Sequence, residues 1–303
     1  MNFSIISTTW ALLEKTAKIL ILTESERVSL ADKIQKDNQP FVSEVNVIDI
    51  GINNNYEQEM RSLTENDLLI VLLTIDGFMN RGYRDTFSPF SKPSGLNGKY
   101  IFIRLDIPEA SLLSGLNTSF AKIDAIIREC KAFSSGKNVR VTTEIGTDIT
   151  TRIARHDSAS YQALDKGGMA FLPPSEVSED LVESSTNGVI VVDVTVGEIR
   201  FGPELIDPLG IVDQYVTITV KDGLVVDIAG GDIANRLKLG LDKLDENLQM
   251  LVELGHGLSD LAPTGIIGVD ESMNGTCHFG IGNRNPYHVD VVISNPKITV
   301  LSD

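Results

Sequence analysis

Histidine and acidic side chains gather in the last part of this chain, at spacings that could build a metal site. The chain has 4 histidines, and three of them, His256, His278 and His288, lie close together in the sequence. Asp290 follows His288 by two residues. Imidazole nitrogens and carboxylate oxygens are suitable ligands for divalent ions. The residue types therefore indicate a metal site built from nitrogen and oxygen ligands.

Alternation along short strands would give these side chains a common direction. Residues two apart in a strand point to the same face, so His288 and Asp290 are expected to project together. His278 would share a face with Gly280 and Gly282, and glycines leave space beside an imidazole. A surface strand with outward polar residues would show the same pattern, but the neighbouring His278 and the glycines favour a site. The opposite, buried side of the last strand would hold Val289, Val291 and Ile293.

The two cysteines predict packing and not a disulfide framework. Cys130 falls in a helical apolar pattern with Ile123, Ile126 and Ile127, which is typical of a core position. Cys277 precedes His278 in a strand, so we expect it to point away from any ligand that His278 binds.

The composition argues against binding to nucleic acids or to anionic membrane surfaces. The 303 residues are 42% apolar, and 42 acidic residues against 26 basic ones give a net charge of −16. This balance argues against nucleic-acid partners and against anionic membrane surfaces. No signal peptide and no long apolar segment is evident. We therefore expect a soluble cytoplasmic protein.

The first part of the chain alternates between predicted strands and helices, which is typical of an α/β domain with a largely parallel sheet. No glycine-rich phosphate-binding fingerprint follows a strand, so no nucleotide site is expected. The predicted strands are 18–22, 45–50, 68–73 and 100–103, and the predicted helices are 24–34, 56–63 and 119–133.

Strand-like runs dominate after about residue 138. Lys221-Asp222-Gly223 predicts a hairpin turn between 212–220 and 224–229. One helix is predicted from leucines at helical spacing, namely Leu237, Leu241, Leu244, Leu248 and Leu251. The fold prediction is an α/β, Rossmann-like N-terminal domain over residues 1–137. An α+β C-terminal metal-binding catalytic domain with mainly antiparallel strands follows over residues 138–303.

Two further carboxylates are candidates for the site. Glu253 would lie in the last turn of the leucine helix, where the helix dipole disfavours a negative charge, and Gly255 would end that helix. Glu176 follows a proline pair that would fix a rigid loop. Either glutamate could instead be a solvated surface residue. His256 could be a ligand, a group that supports a ligand, or a loop residue.

Six ordered landmarks between about Val139 and Asp303 resemble the aminopeptidase T and aminopeptidase S type metallopeptidases, the M29 family. His288-Val289-Asp290 resembles that family's last motif. The loop between His278 and His288 is shorter than in the family. The other landmarks are Gly146-Thr147-Asp148, Leu172-Pro173-Pro174-Ser175-Glu176-Val177, Asn187–Asp193, Glu253-Leu254-Gly255-His256-Gly257 and Gly275–Gly282.

This resemblance implies a metal-dependent aminopeptidase that releases N-terminal residues from small peptides by metal-activated water. It implies two divalent metal ions, Zn²⁺, Co²⁺ or Mn²⁺, and a homodimer. Glu253 and Tyr287 are its candidate catalytic residues, Tyr287 standing where the family has a tyrosine in the longer loop. The metal ligands implied by the resemblance are Glu176, Glu253, His278, His288 and Asp290.

Two other functions remain open at the level of sequence. The same fold family includes a 2,5-dihydroxypyridine ring-cleaving dioxygenase, which uses one Fe²⁺ ion held by two histidines and an aspartate. His288 and Asp290 would supply two of those ligands. The third position aligns with Glu253, which is a carboxylate where that enzyme has a histidine, although His256 is close by. A divergent member that binds a small molecule, or serves a biosynthetic step, without peptidase activity is the other alternative.

Overall fold

The computed structural model describes residues 2–53, 55–89, 91–133, 135–156, 168–201, 204–282 and 288–302. The chain separates into two compact units, one of residues 1–118 and 160–174 and the other of residues 119–159 and 175–303. The sequence predicts a domain boundary near residue 137. In the structure, the segment around residues 119–133 already belongs to the second unit. Its Phe133 packs against the core of that unit.

The elements follow one another in this order. The strands are β1 (Lys18–Thr23), β2 (Glu44–Asp49), β3 (Leu68–Leu72), β4 (Lys99–Ile103), β5 (Asn138–Thr142), β6 (Asp148–His156), β7 (Met169–Leu172), β8 (Glu176–Leu181), β9 (Asn187–Val192), β10 (Thr195–Phe201), β11 (Glu204–Ile211), β12 (Val216–Lys221), β13 (Leu224–Ala229), β14 (Leu251–Gly257), β15 (Thr276–Ile281), β16 (Val289–Ser294) and β17 (Lys297–Val300). The helices are α1 (Val28–Asn38), α2 (Tyr56–Ser62), α3 (Ile75–Asn80), α4 (Glu109–Leu116), α5 (Phe120–Lys131), α6 (Asp232–Leu241) and α7 (Ile267–Asp270).

A five-stranded parallel sheet forms the first unit, in the order β2-β1-β3-β4-β7. All five residues of β3 and all five of β4 are buried. Strands of a parallel sheet are covered on both faces, which explains their continuous apolar runs. The strands and helices predicted between residues 18 and 103 are confirmed in this unit to within a few residues, and the predicted helix 119–133 is confirmed as α5 of the second unit.

A twelve-stranded, mainly antiparallel sheet forms the second unit. Its main path runs β11-β10-β16-β15-β14-β8-β6-β9-β12-β13, and β5 pairs with β6 and β17. Buried and half-buried residues alternate along β12, as expected for an antiparallel strand with one covered face. The predicted hairpin is confirmed, because Lys221 of β12 pairs with Leu224 of β13.

The predicted leucine helix is confirmed only as far as Leu241 and is wrong beyond it. Helix α6 ends at Leu241, and Leu251 begins strand β14. Strand β14 forms hydrogen-bonded ladders with β8 on one side and β15 on the other, and these long-range pairings override the local helical spacing. Glu253 and Gly255 therefore lie inside a strand and not at a helix end. Among the described residues, no helix is long and apolar enough to cross a membrane.

Candidate metal centre

Four neighbouring strands of the second unit, β8, β14, β15 and β16, position the candidate residues. Directly paired residues of antiparallel strands project to the same face. Gly255 of β14 pairs with His278 of β15, and Glu253 pairs with Gly280. Gly280 in turn pairs with Asp290 of β16. His278, Glu253 and Asp290 therefore share one face of the sheet.

Glu176 joins the same face from the other side of β14. It is the first residue of β8 and pairs with Gly257, which is two residues from Gly255. His288 directly precedes β16. The structure thus brings together all five residues that the resemblance implied as ligands. We define Glu176, Glu253, His278, His288 and Asp290 as the carboxylate–histidine cluster.

Short distances connect the members of this cluster. Nε2 of His278 lies 2.7 Å from Oε2 of Glu176. Nε2 of His288 lies 3.0 Å from Oδ1 of Asp290 and 3.4 Å from Oε2 of Glu253. Glu176, Glu253 and His278 each offer a ligand atom, and these atoms all lie within 4.8 Å of one another. Such spacing would let several of these side chains share one cation.

Two glycines provide the space that the imidazole rings occupy. A Cβ atom at Gly255 would lie 2.0 Å from Nε2 of His278, so that ring extends across the backbone of β14 toward Glu176. A Cβ atom at Gly280 would lie 2.5 Å from Cε1 of His288. Both distances are far inside van der Waals contact, and any larger residue would displace the ring.

Burial and mutual charge change the protonation of the cluster. Burial acts to lower the pKa of His278, but the charge and hydrogen bond of Glu176, with the charge of Asp290, raise it to about 10. Burial also acts to lower the pKa of His288, but the charge and hydrogen bond of Asp290, with the charge of Glu253, raise it to about 9. Burial, together with the charges of Glu176 and Asp290, raises the pKa of Glu253. Three carboxylates held this close repel one another unless positive charge lies between them.

A divalent cation fits this arrangement. The donors are two imidazoles and three carboxylates, which suit Zn²⁺, Mn²⁺, Co²⁺ or Fe²⁺. A cation would neutralise the carboxylates in place of the protons that the imidazoles otherwise hold. Nδ1 of His278 and Nδ1 of His288 are also buried and form no hydrogen bond with the described residues. Each ring therefore keeps one nitrogen that has no hydrogen-bond partner among the described residues.

The remaining sequence candidates lie elsewhere. Tyr287, the second candidate catalytic residue, lies outside the described residues. His256 is buried and points to the opposite face of β14, because strand neighbours alternate. Cys277 lies in the apolar core on that opposite face, as predicted. Asp148 forms an exposed ion pair with Arg140, so this landmark has a structural contact away from the cluster.

Gly255 is the residue whose role sequence reasoning missed. It was predicted to end a helix, and in the structure its missing side chain gives His278 its place. Alternation of Glu253, Gly255 and Gly257 around buried Leu254 was the available signal for a strand. With that signal, the pairing of a glycine opposite a histidine would have been the natural inference.

Known proteins resemble this chain both in sequence and in fold. The model of the family described as NicX, 2,5-dihydroxypyridine 5,6-dioxygenase, matches residues 37–274. This matched segment includes Glu176 and Glu253 and ends before His278. No curated protein sequence gives a significant match.

Two solved structures share the fold over nearly the whole chain. The 2,5-dihydroxypyridine dioxygenase from Pseudomonas putida KT2440 superposes with a TM-score of 0.62 at 13% identity, covering 98% of this chain and 92% of that chain. Wild-type AmpT from Thermus thermophilus superposes with a TM-score of 0.60 at 15% identity, covering 99% of this chain and 94% of that chain. Both neighbours are enzymes, AmpT being an M29 aminopeptidase. At these identities the two similarities establish the fold.

Proposed function

The chain belongs to the 2,5-dihydroxypyridine 5,6-dioxygenase family, and we propose that it is an Fe²⁺-dependent dioxygenase that opens a dihydroxylated pyridine-type ring. The resemblance to the M29 peptidases then reflects the shared fold and a related ligand set. The proposal favours the oxygenase over the hydrolase that the sequence landmarks suggested first.

One observation carries the proposal: His278 of β15 and Asp290 of β16 share one face of the sheet, and His288, directly before β16, contacts Asp290. Two histidines and one carboxylate with open positions are the typical ligand set of non-haem Fe²⁺ oxygenases. His288 and Asp290 are in direct contact at 3.0 Å, and Asp290 also raises the pKa of His278 by its charge. The family resemblance aligns Glu253 with the third ligand, and in the structure His278 lies beside Glu253. An Fe²⁺ ion bound there would supply the one-electron chemistry with dioxygen that protein side chains lack.

The other two members of the cluster are Glu176 and Glu253. Glu176 would position an imidazole, and Glu253 would accept a proton. Glu176 contacts Nε2 of His278 and fixes the orientation of that imidazole. Glu253 is largely buried beside two other carboxylates, which raises its pKa. A carboxylate with a raised pKa in a metal site is suited to accept the proton of a substrate hydroxyl. We therefore assign Glu253 as the general base toward a ring hydroxyl.

A two-metal aminopeptidase is the second candidate, and a specific feature favours it. Glu176, Glu253 and His278 form a compact donor group in addition to the two-histidine, one-aspartate set. Paired cations held by bridging carboxylates activate water for hydrolysis. A single Fe²⁺ ion does not need this many carboxylates as ligands.

Metal content and reaction type separate the two candidates. The purified protein is analysed for Fe, Zn, Mn and Co, and it is assayed for oxygen uptake with 2,5-dihydroxypyridine and for hydrolysis of a panel of aminoacyl substrates. The dioxygenase proposal expects one Fe per chain and oxygen uptake that requires the dihydroxypyridine. Two Zn, Mn or Co ions per chain, with release of N-terminal residues, would contradict it and support the peptidase.

A further inference from the structure

A second group of ligand-type side chains lies on the opposite face of the same strands. On β8, Glu179 points away from the face of Glu176, and on β14, His256 points away from the face of Glu253. Cys130 approaches both from helix α5. We define Cys130, Glu179 and His256 as the cysteine cluster.

The three side chains are close enough to share one ion. Sγ of Cys130, a carboxylate oxygen of Glu179 and an imidazole nitrogen of His256 all lie within 4.8 Å of one another. Nε2 of His256 is 3.2 Å from Oε2 of Glu179. All three residues are buried, with relative exposures of 2%, 0% and 6% in the order given above. Burial of a thiol, a carboxyl and an imidazole in one place is costly unless they bind one another or an ion.

Nε2 of His256 has no hydrogen-bond partner among the described residues. Although Nε2 lies near Glu179, it makes no hydrogen bond of acceptable geometry with the described residues. The ring of Phe133 lies beside the imidazole at a centroid distance of 5.8 Å and offers it no strong acceptor. An imidazole nitrogen, a carboxylate oxygen and a sulfur this close together are donor types that bind Zn²⁺.

A cavity gives this cluster a route to solvent and small ligands. Its volume is about 480 Å³, and its walls include Cys130, His256, Phe133, Glu129 and Asn274. Cys130 and His256 therefore lie at the wall of a cavity, where an ion could enter and keep one position for water. A catalytic-type zinc site has this form, with three protein ligands and one open position.

The surroundings argue against a free nucleophilic cysteine. A reactive thiolate needs positive charge or a helix N-terminus nearby. Cys130 is instead near the end of α5, and burial with the charges of Glu179 and Glu129 raises the pKa of its thiol.

We propose that Cys130, Glu179 and His256 form a second metal site, for a divalent ion of the Zn²⁺ class, open toward the 480 Å³ cavity. A thiolate, an imidazole and a carboxylate together favour Zn²⁺ over the harder ions Mg²⁺ and Ca²⁺. This site is separate from the carboxylate–histidine cluster and does not depend on the reaction assigned to that cluster.

Cobalt titration tests the proposal, because a Co²⁺ ion bound to a thiolate absorbs in the near ultraviolet and a Co²⁺ ion bound to histidines and carboxylates alone does not. The full-length protein is stripped of metal, kept reduced and titrated with Co²⁺ and then with Zn²⁺. We expect a thiolate charge-transfer band that saturates at one Co²⁺ ion of this type per chain and is removed by Zn²⁺. The band should persist in His288→Ala, which alters only the other cluster.

Matched cysteine variants assign the band to its residue. Cys130→Ser should abolish it, whereas Cys277→Ala should keep it, since Cys277 is the other buried cysteine and packs in the apolar core. His256→Gln keeps both cysteines and should weaken Co²⁺ binding at this site by more than the roughly 10–100-fold that loss of an outer partner costs. Absence of the band in the wild-type protein would overturn the proposal. Its persistence in Cys130→Ser, or unchanged affinity in folded His256→Gln, would overturn it as well.

Discussion

The two faces of strands β8, β14 and β15 carry different chemistry on the same backbone. One face holds the carboxylate–histidine cluster, where glycines leave room for two imidazoles. The other face holds apolar residues and the cysteine cluster. Alternation thus separates an oxygen-rich group from a group that includes sulfur. Adjacent residues such as Gly255 and His256 can therefore belong to two different sites.

Loss of a proposed ligand on the first face should have the largest effect. Asp290→Asn removes a negative charge that lies 3.0 Å from His288. We expect Fe²⁺ binding to fall by more than the ~10–100-fold typical of outer-shell changes and oxygen uptake to fall with it. The measurements are iron content after gel filtration and the rate of oxygen uptake.

Asp180→Asn is the matched control on the same face. Asp180 pairs with Glu253 across the ladder, but its carboxylate contacts Arg155. Iron content and activity should stay at the wild-type level. Equal losses in the two variants would mean that total charge, and not the position of Asp290, controls metal binding.

A methyl group at Gly255 should disturb the first face without removing any ligand. In Gly255→Ala the new Cβ would meet Nε2 of His278 at 2.0 Å, and overpacking of this kind costs about 1–3 kcal/mol. The free energy of unfolding of the metal-free protein, from urea titration, measures the cost. Iron content should fall as well, because His278 is displaced.

A double-mutant cycle assigns this cost to one contact. In the His278→Ala background the ring is absent, so adding Gly255→Ala should lower the free energy of unfolding much less. A cost of the same size in both backgrounds would show that the alanine disturbs the backbone of β14 and not the imidazole.

Proton release should accompany metal binding at the first face. The pKa values of His278 and His288 are raised to about 10 and about 9, so both imidazoles are protonated at pH 7 in the metal-free protein. Bound metal requires neutral imidazole, and loading should release about two protons from these rings. Metal affinity should therefore rise with pH up to about pH 10. Calorimetry in buffers of different ionisation enthalpy measures the release, and its absence at pH 7 would contradict the proposed ligands.

The smallest effect is expected from the core cysteine of the second face. Cys277 pairs directly with His256 but lies in the apolar cluster. Cys277→Ala should lower the free energy of unfolding by about 0.5–1.5 kcal/mol, as for the loss of one buried methyl group. Metal content should not change. A loss of metal in this variant would place Cys277 among the ligands and enlarge the cysteine cluster.

Local patterns predicted the parallel sheet and part of the first site. The strands of the first unit are short apolar runs that need no distant partner to be recognised. The contact of His288 with Asp290 followed from alternation alone. Placement of Glu176 and Glu253 came from the family resemblance, and the structure brings both to His278.

Long-range pairing explains what the sequence did not predict. Leu241 and Leu251 fit one helical stripe, and nothing local shows that β14 is inserted between β8 and β15. The wrong helix also concealed the alternation of Gly255 and His256. Their separation onto two faces could be inferred only after the strand and its partners were known.

Isotopically labelled dioxygen tests the central claim most directly. The iron-loaded protein is given 2,5-dihydroxypyridine under labelled dioxygen in unlabelled water, and the product is analysed by mass spectrometry. A ring-cleaving dioxygenase predicts that both oxygen atoms of one dioxygen molecule enter the ring-opened product. Unchanged dihydroxypyridine, or a product that carries no label, would contradict the account.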